Sequence, residues 1–258
     1  MLLDAVIDSL PVWAGYMLCT GRKCLLYCAF TKILTLQRVR GMNNVELARF
    51  NMVEQQIRPW DVLDMNVLDL IKKVKREQFV PVDKQSLAFM DVEIPLGHGV
   101  AMWSPKLEAR ALQALKLKRS DRVLEVGTGS GYLTALLSRM ADHVISVELV
   151  QELSARAARS LAAHHYDNVT LEVGDASKGW GGEKFDAIVL TGSVPMPPQS
   201  LYEMLNVGGR LFAIVGDAPA MQAMLVTCVA PGVFETHTLF ETNVAPLANA
   251  PQPERFVF

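Results

Sequence analysis

Val123-Leu124-Glu125-Val126-Gly127-Thr128-Gly129-Ser130-Gly131-Tyr132 is the stretch on which the fold turns. A short apolar run enters three glycines spaced G-x-G-x-G, and a helical pattern follows. This is the strand, loop and helix with which an open α/β sheet places a ligand at the carboxyl end of its strands. Glycine lets the backbone approach a ligand closely, and the first turn of the next helix offers free N–H groups. A dinucleotide fingerprint, G-x-G-x-x-G, needs its third glycine where Tyr132 stands, so the spacing is not the one for a nicotinamide cofactor. A glycine loop alone also serves an ordinary tight turn, and the residues around it must decide.

Downstream, short apolar runs alternate with helical stretches. The predicted strands are 122–126, 144–147, 169–173, 185–190 and 210–215, with helices over 132–140 and 151–163. Continuously apolar strands separated by helices imply a parallel sheet covered on both faces, which is a doubly wound α/β fold. Residues 224–229 and 233–241, around Pro231-Gly232, predict an antiparallel hairpin at the sheet edge near the C-terminus. Upstream, Val67, Leu68, Ile71 and Val74 recur at helical spacing and predict a helix over 64–75. Residues 92–99 predict a short strand opening into the Gly97-His98-Gly99 loop, and Ser104-Pro105 predicts a helix start with the serine as cap.

The rest of the composition mostly excludes. Lys plus Arg number 25 against 27 Asp plus Glu, a net charge of −2, so there is no basic excess of the kind used on nucleic acid. Charged residues interrupt every apolar run before it reaches bilayer length, which predicts a protein without a membrane span. Residues 1–41 differ from the remainder: five basic side chains (Arg22, Lys23, Lys32, Arg38, Arg40), two acidic ones (Asp4, Asp8) and three of the four cysteines (Cys19, Cys24, Cys28). These cysteines make neither a disulfide framework nor paired zinc ligands, so no metal is expected and reduced thiols in the cytoplasm are. Met42 opens a polar helical stretch and reads as the true start. The expected organisation is an extension over 1–41, a helical part with the substrate loop over 42–105, and the ligand-binding α/β domain over 106–258.

Two carboxylates raise the glycine loop above an ordinary turn. Glu148 ends the second strand, 21 residues after Gly127, where it can accept hydrogen bonds from both hydroxyls of a ribose. Asp175, in Gly174-Asp175-Ala176, closes the third strand, where it can accept from the amino group of an adenine. Either alone could be a solvated strand end or a cap. Together with the glycines they describe a site for an adenosine without a pyrophosphate cradle.

Glu-Val-Gly-Thr-Gly-Ser-Gly, an acidic strand end and Gly-Asp resemble the S-adenosylmethionine-dependent methyltransferases. Within them the chain resembles the protein-L-isoaspartate O-methyltransferases: Arg76-Glu-Gln-Phe-Val, Ile94-Pro-Leu-Gly-His-Gly99, Val123 to Tyr132, Gly174-Asp175 with Gly179-Trp180, residues 185–191, Gly208-Gly209 to Gly216, and Val244-Ala-Pro-Leu247 stand in family order. The resemblance implies a Rossmann-like methyltransferase fold, S-adenosylmethionine held by Glu125, Gly127, Thr128, Gly129, Ser130, Gly131, Glu148, Asp175, Ala176 and Thr191, and a protein or peptide substrate with isoaspartyl residues.

One departure bears on the chemistry. After the Pro-x-Gly-x-Gly loop the family pattern is Thr-x-Ser-x-Pro, its Ser being regarded as an active-site residue; here Ala101 and Trp103 stand at those places. Ser104 is displaced by one and is a catalytic candidate beside its reading as the helix cap. His98 is the other, as an orienting group or base, beside its reading as an exposed loop histidine. The expected activity is methyl transfer to the carboxylate of a damaged aspartyl residue, with a silent S-adenosylmethionine binder or a methyltransferase with another acceptor as alternatives.

Overall fold

The computed structural model describes residues 43–196 and 199–251. The 1–41 extension, its three cysteines and Met42 lie outside the described residues. The chain divides into two units after Leu47. The backbone N–H of Glu46 donates to Asn43 Oδ1 and that of Asn43 to Glu46 Oε2, a reciprocal cap at the start of α1, Asn44–Asn51.

The second unit is organised by a seven-stranded sheet in the order β5-β4-β3-β6-β7-β8-β9. Its strands are β3 (Arg122–Val126), β4 (His143–Glu148), β5 (Val169–Val173), β6 (Phe185–Val194), β7 (Leu205–Val215), β8 (Met221–Ala230) and β9 (Val233–Thr242). The first five strands in that order run parallel, and β8 and β9 add an antiparallel hairpin at one edge. The doubly wound, mostly parallel α/β fold is therefore the one expected. Successive residues of a strand serve opposite faces: Val123 and Ala187 join one apolar cluster, Leu124 and Ile188 the other.

Helices α4 (Tyr132–Ser138) and α5 (Gln151–Ala163) connect β3 to β4 and β4 to β5. A five-residue helix, α6 (Gln199–Glu203), joins β6 to β7 and was too short to leave a period in the sequence. Strand β6 runs four residues beyond the predicted 190, and β7 starts at Leu205 rather than 210. Both extensions are irregular: the β6–β7 register slips between Phe185 and Ala187 and between Val189 and Ser193, so side-chain alternation fails there.

Ahead of the sheet, α2 (Met65–Lys73) buries Val67, Leu68 and Ile71 and is capped by Asp64, which accepts from the Asn66 N–H at 2.8 Å. A small hairpin, β1 (Ile94–Gly97) with β2 (Val100–Met102), then leads into α3 (Pro105–Leu115). Ser104 occupies the N-cap position of α3, but its hydroxyl makes no capping hydrogen bond. Its backbone carbonyl instead accepts from Leu107 and Glu108, so Pro105 and the backbone alone start the helix.

Candidate active site

A cavity of about 270 Å³ opens at the carboxyl ends of β3, β4 and β6. The fold brings Glu125, Gly127, Thr128, Gly129, Ser130, Glu148, Asp175, Ala176 and Thr191 to its wall, together with His98. Gly131 and Ser104 do not line it. At Gly131, φ is +80° and a Cβ would sit 3.0 Å from Ala157 Cβ on α5, so both backbone and packing call for glycine.

Gly127 and Gly129 do different work. At Gly127, φ is +96° and a Cβ would fall 2.1 Å from Thr191 Oγ1. That hydroxyl is in place because it is shared between the carbonyls of Val126 and Gly127, at 2.9 and 2.8 Å. At Gly129, a Cβ would meet only Leu96 Cδ1, at 3.4 Å, within 4 Å. The bare face of Gly129 thus borders the cavity, as a backbone that must lie against a ligand does.

Glu148 is 4% exposed and anchored by main chain on both oxygens. Oε2 accepts from the Gly129 N–H at 2.8 Å and Oε1 from the Val150 N–H at 3.0 Å. Each carboxylate oxygen can accept twice, so each keeps one position for a hydroxyl. Asp175 is exposed; Oδ1 accepts from the Ser177 N–H at 2.9 Å and Oδ2 from Asn249 Nδ2 at 2.9 Å. The Ser177 N–H holds its carboxyl below the usual aspartate value, outweighing a smaller opposing effect of burial.

Glu125 is fully buried beneath the glycine loop and accepts from the hydroxyls of Ser146 and Thr134 on Oε2. Its Oε1 is buried with no hydrogen-bond partner. Burial pushes this carboxyl up to about 8. Thr128 bonds the Ser146 hydroxyl, and Ser130 Oγ accepts from the Tyr132 N–H at 3.2 Å in the first turn of α4. These two hydroxyls are engaged by the protein, that of Thr128 with β4 and that of Ser130 at the start of α4.

The far wall is the β1–β2 hairpin. His98 has φ +55° between two glycines that are also left-handed, and its Nε2 lies 3.0 Å from Glu152 Oε2 on α5. Trp103 is 5% exposed, edge-on to Phe212 at 6.2 Å between centroids. Its carbonyl accepts from the Arg76 guanidinium, which is itself buried, paired with Glu108 and stacked over Tyr132 at 5.0 Å. Glu108, buried but facing that cation, is pushed up to about 7.

Sequence reading missed the fourth wall, residues 245–248. Leu247 donates to the Ser193 carbonyl at 2.8 Å and Ser193 to that of Ala245 at 3.0 Å, so this strap lies beside the extended end of β6. A Cβ on Gly192 would be 2.7 Å from the Leu247 nitrogen, which explains that glycine. Val244-Ala-Pro-Leu247 was the available signal, but nothing local says what it packs on.

The carboxyls give a pH dependence of stability. Burial pushes the Glu125 carboxyl up to about 8 from the ordinary 4.5, so between these values the folded chain holds a proton that the unfolded chain has lost. Its contribution is complete below pH 4.5 and lost as pH rises through about 8, and Glu108 adds the same sign up to about 7. The midpoint of urea unfolding is expected to fall from pH 5 to pH 8, and Glu125→Gln to flatten that slope. A midpoint that rises across the range, or the same slope in Glu125→Gln, would contradict the assignment.

Residues 48–250 match the family model of protein-L-isoaspartate(D-aspartate) O-methyltransferase. The chain belongs to this family. It is 39% identical over 77% of its length to a protein-L-isoaspartate O-methyltransferase from Opitutus terrae, of which 85% is covered, and 38% identical over 77% to one from Rhodopseudomonas palustris, of which 82% is covered. A Plasmodium falciparum protein-L-isoaspartate O-methyltransferase, solved in complex with S-adenosyl-L-homocysteine, shares the fold with a TM-score of 0.67 at 20% identity, over 80% of this chain and 99% of that one. The enzyme is thus an S-adenosylmethionine-dependent O-methyltransferase acting on damaged aspartyl residues. Among the described residues, no helix is long and apolar enough to cross a membrane.

Proposed function

We propose that Glu148 holds the ribose of S-adenosylmethionine, that Asp175 accepts from its adenine amino group, and that Gly129 lies along it. The observation that carries this reading is Glu148, fixed by two backbone N–H groups and left with one acceptor position on each oxygen. Glu125 fits as well: it lines the cavity with an unpartnered Oε1, a buried polar atom left for a ligand. When bound, the cofactor supplies a methyl group activated by a positive sulfur.

The residues of the chain then have to orient and exclude water. An isoaspartyl carboxylate with a pKa near 4 is already ionised at neutral pH, so a general base is unnecessary and in-line placement at about 3 to 3.5 Å supplies the catalysis. We assign that placement to the Gly97–Gly99 loop, of which His98 and Gly99 line the cavity, and not to Ser104, which does not. Trp103 packs against Phe212 and closes the wall where the family pattern has its serine. Trp103→Ser would therefore open a hole, a change of the class that costs about 3–5 kcal/mol. We also assign the enzyme to the cytoplasm, in keeping with the free, buried thiol of Cys228.

The test is transfer of labelled methyl to an isoaspartyl peptide, with the normal aspartyl peptide as control and methanol release reporting an ester. Glu148→Ala is expected to weaken cofactor affinity roughly ten- to hundredfold, from the loss of hydrogen bonds to a charged acceptor. Unchanged affinity in this variant would mean that the ribose lies elsewhere.

A further inference from the structure

We propose that Asn249, on the strap that follows β9, is a positioning residue for base recognition: it holds the carboxylate of Asp175 in the orientation that accepts the adenine amino group. This rests on the reading of Asp175 given above. Asp175 is exposed, and an exposed aspartate turns freely about its side-chain torsions unless something fixes it. The Ser177 N–H fixes one oxygen only. The Asn249 amide, donating to Oδ2 at 2.9 Å, stops rotation about the remaining axis and still leaves each oxygen an acceptor position.

Asn249 is itself held by more than this bond. Its backbone is left-handed, φ +59°, a conformation that asparagine tolerates better than most residues. Its carbonyl accepts from Ser177 Oγ at 3.2 Å, so Asn249 and the Asp175–Ser177 turn clasp each other in both directions. Two residues earlier the strap is tied to Ser193 by backbone hydrogen bonds, over the bare Gly192. The strap therefore supplies cavity wall at residues 245–248 and, one residue on, the group that aims a ligand-facing carboxylate.

The test compares S-adenosylhomocysteine with its 6-deamino purine analogue, by calorimetry on the full chain. Asn249→Gly keeps the left-handed backbone and deletes the amide; Asn249→Asp keeps the shape and replaces the donor with a like charge. Each is expected to weaken binding of S-adenosylhomocysteine roughly three- to tenfold, to leave the deamino analogue within about twofold, and to have no effect once Asp175→Ala is present. Equal weakening of both ligands, or an additive effect in the double variant, would overturn the proposal and leave the strap a structural element. If Asp175→Ala itself leaves the preference for the amino-bearing purine intact, the reading of Asp175 falls, and the role of Asn249 with it.

Discussion

Gly127→Ala is expected to abolish cofactor binding and to destabilise the fold by about 2–4 kcal/mol, combining a strained backbone with an overpacked contact. At φ +96° any L side chain is strained, and the added carbon would lie 2.1 Å from Thr191 Oγ1. The hydroxyl cannot swing away cheaply, because it serves the carbonyls of Val126 and Gly127. Either the loop or the end of β6 must move, and both are cavity wall. Thr191→Ala added to Gly127→Ala removes the collision but not the strain, so stability should recover in part while affinity stays poor. Gly129→Ala is the contrast: its φ of +53° also strains an L side chain, but the fold has room beside Leu96, so the stability cost should be the smaller and the loss fall mainly on binding. Urea unfolding and calorimetry on the variants decide this, and a Gly127→Ala protein as stable and as tight-binding as the parent would refute it.

Arg76→Leu is expected to cost about 3–5 kcal/mol, the range for removing one partner of a buried ion pair. It strands Glu108, whose carboxyl at about 7 is held down only by Arg76 against burial, so without the guanidinium it rises and the acid becomes neutral. It also releases the carbonyl of Trp103 and leaves that buried acceptor without its donor. Adding Glu108→Leu should restore most of the stability, since an apolar pair of similar volume often replaces a buried ion pair at little cost. It should not restore the anchor on Trp103, so turnover on an isoaspartyl peptide stays reduced while cofactor affinity stays near the parent value. Full recovery of turnover in the double variant would show that the Arg76–Trp103 bond does not position the wall.

Local pattern was enough for the elements that bury themselves on a repeat. The bounds of β3, β5 and α5 coincide with the stretches predicted from their residues, and β4 differs by one residue at each end. The strand, glycine and acid signals could likewise be placed at one edge of the sheet, because a parallel strand carries its ligand groups at its carboxyl end whatever surrounds it. Register slips and single bonds between distant residues leave no such trace. The extended ends of β6 and β7, the idle hydroxyl of Ser104 and the packing of Trp103 on Phe212 are of this kind. So are the clasp between Asp175 and Asn249, 74 residues apart, and the burial that raises Glu125. By itself the sequence determined the strands, the turn and the class of ligand, since these follow from hydrophobic period and from backbone sterics within a few residues. Only the tertiary structure decided which carboxylates are anchored, which are protonated and what closes the cavity, because burial and long-range hydrogen bonds exist only once the sheet has brought those residues together.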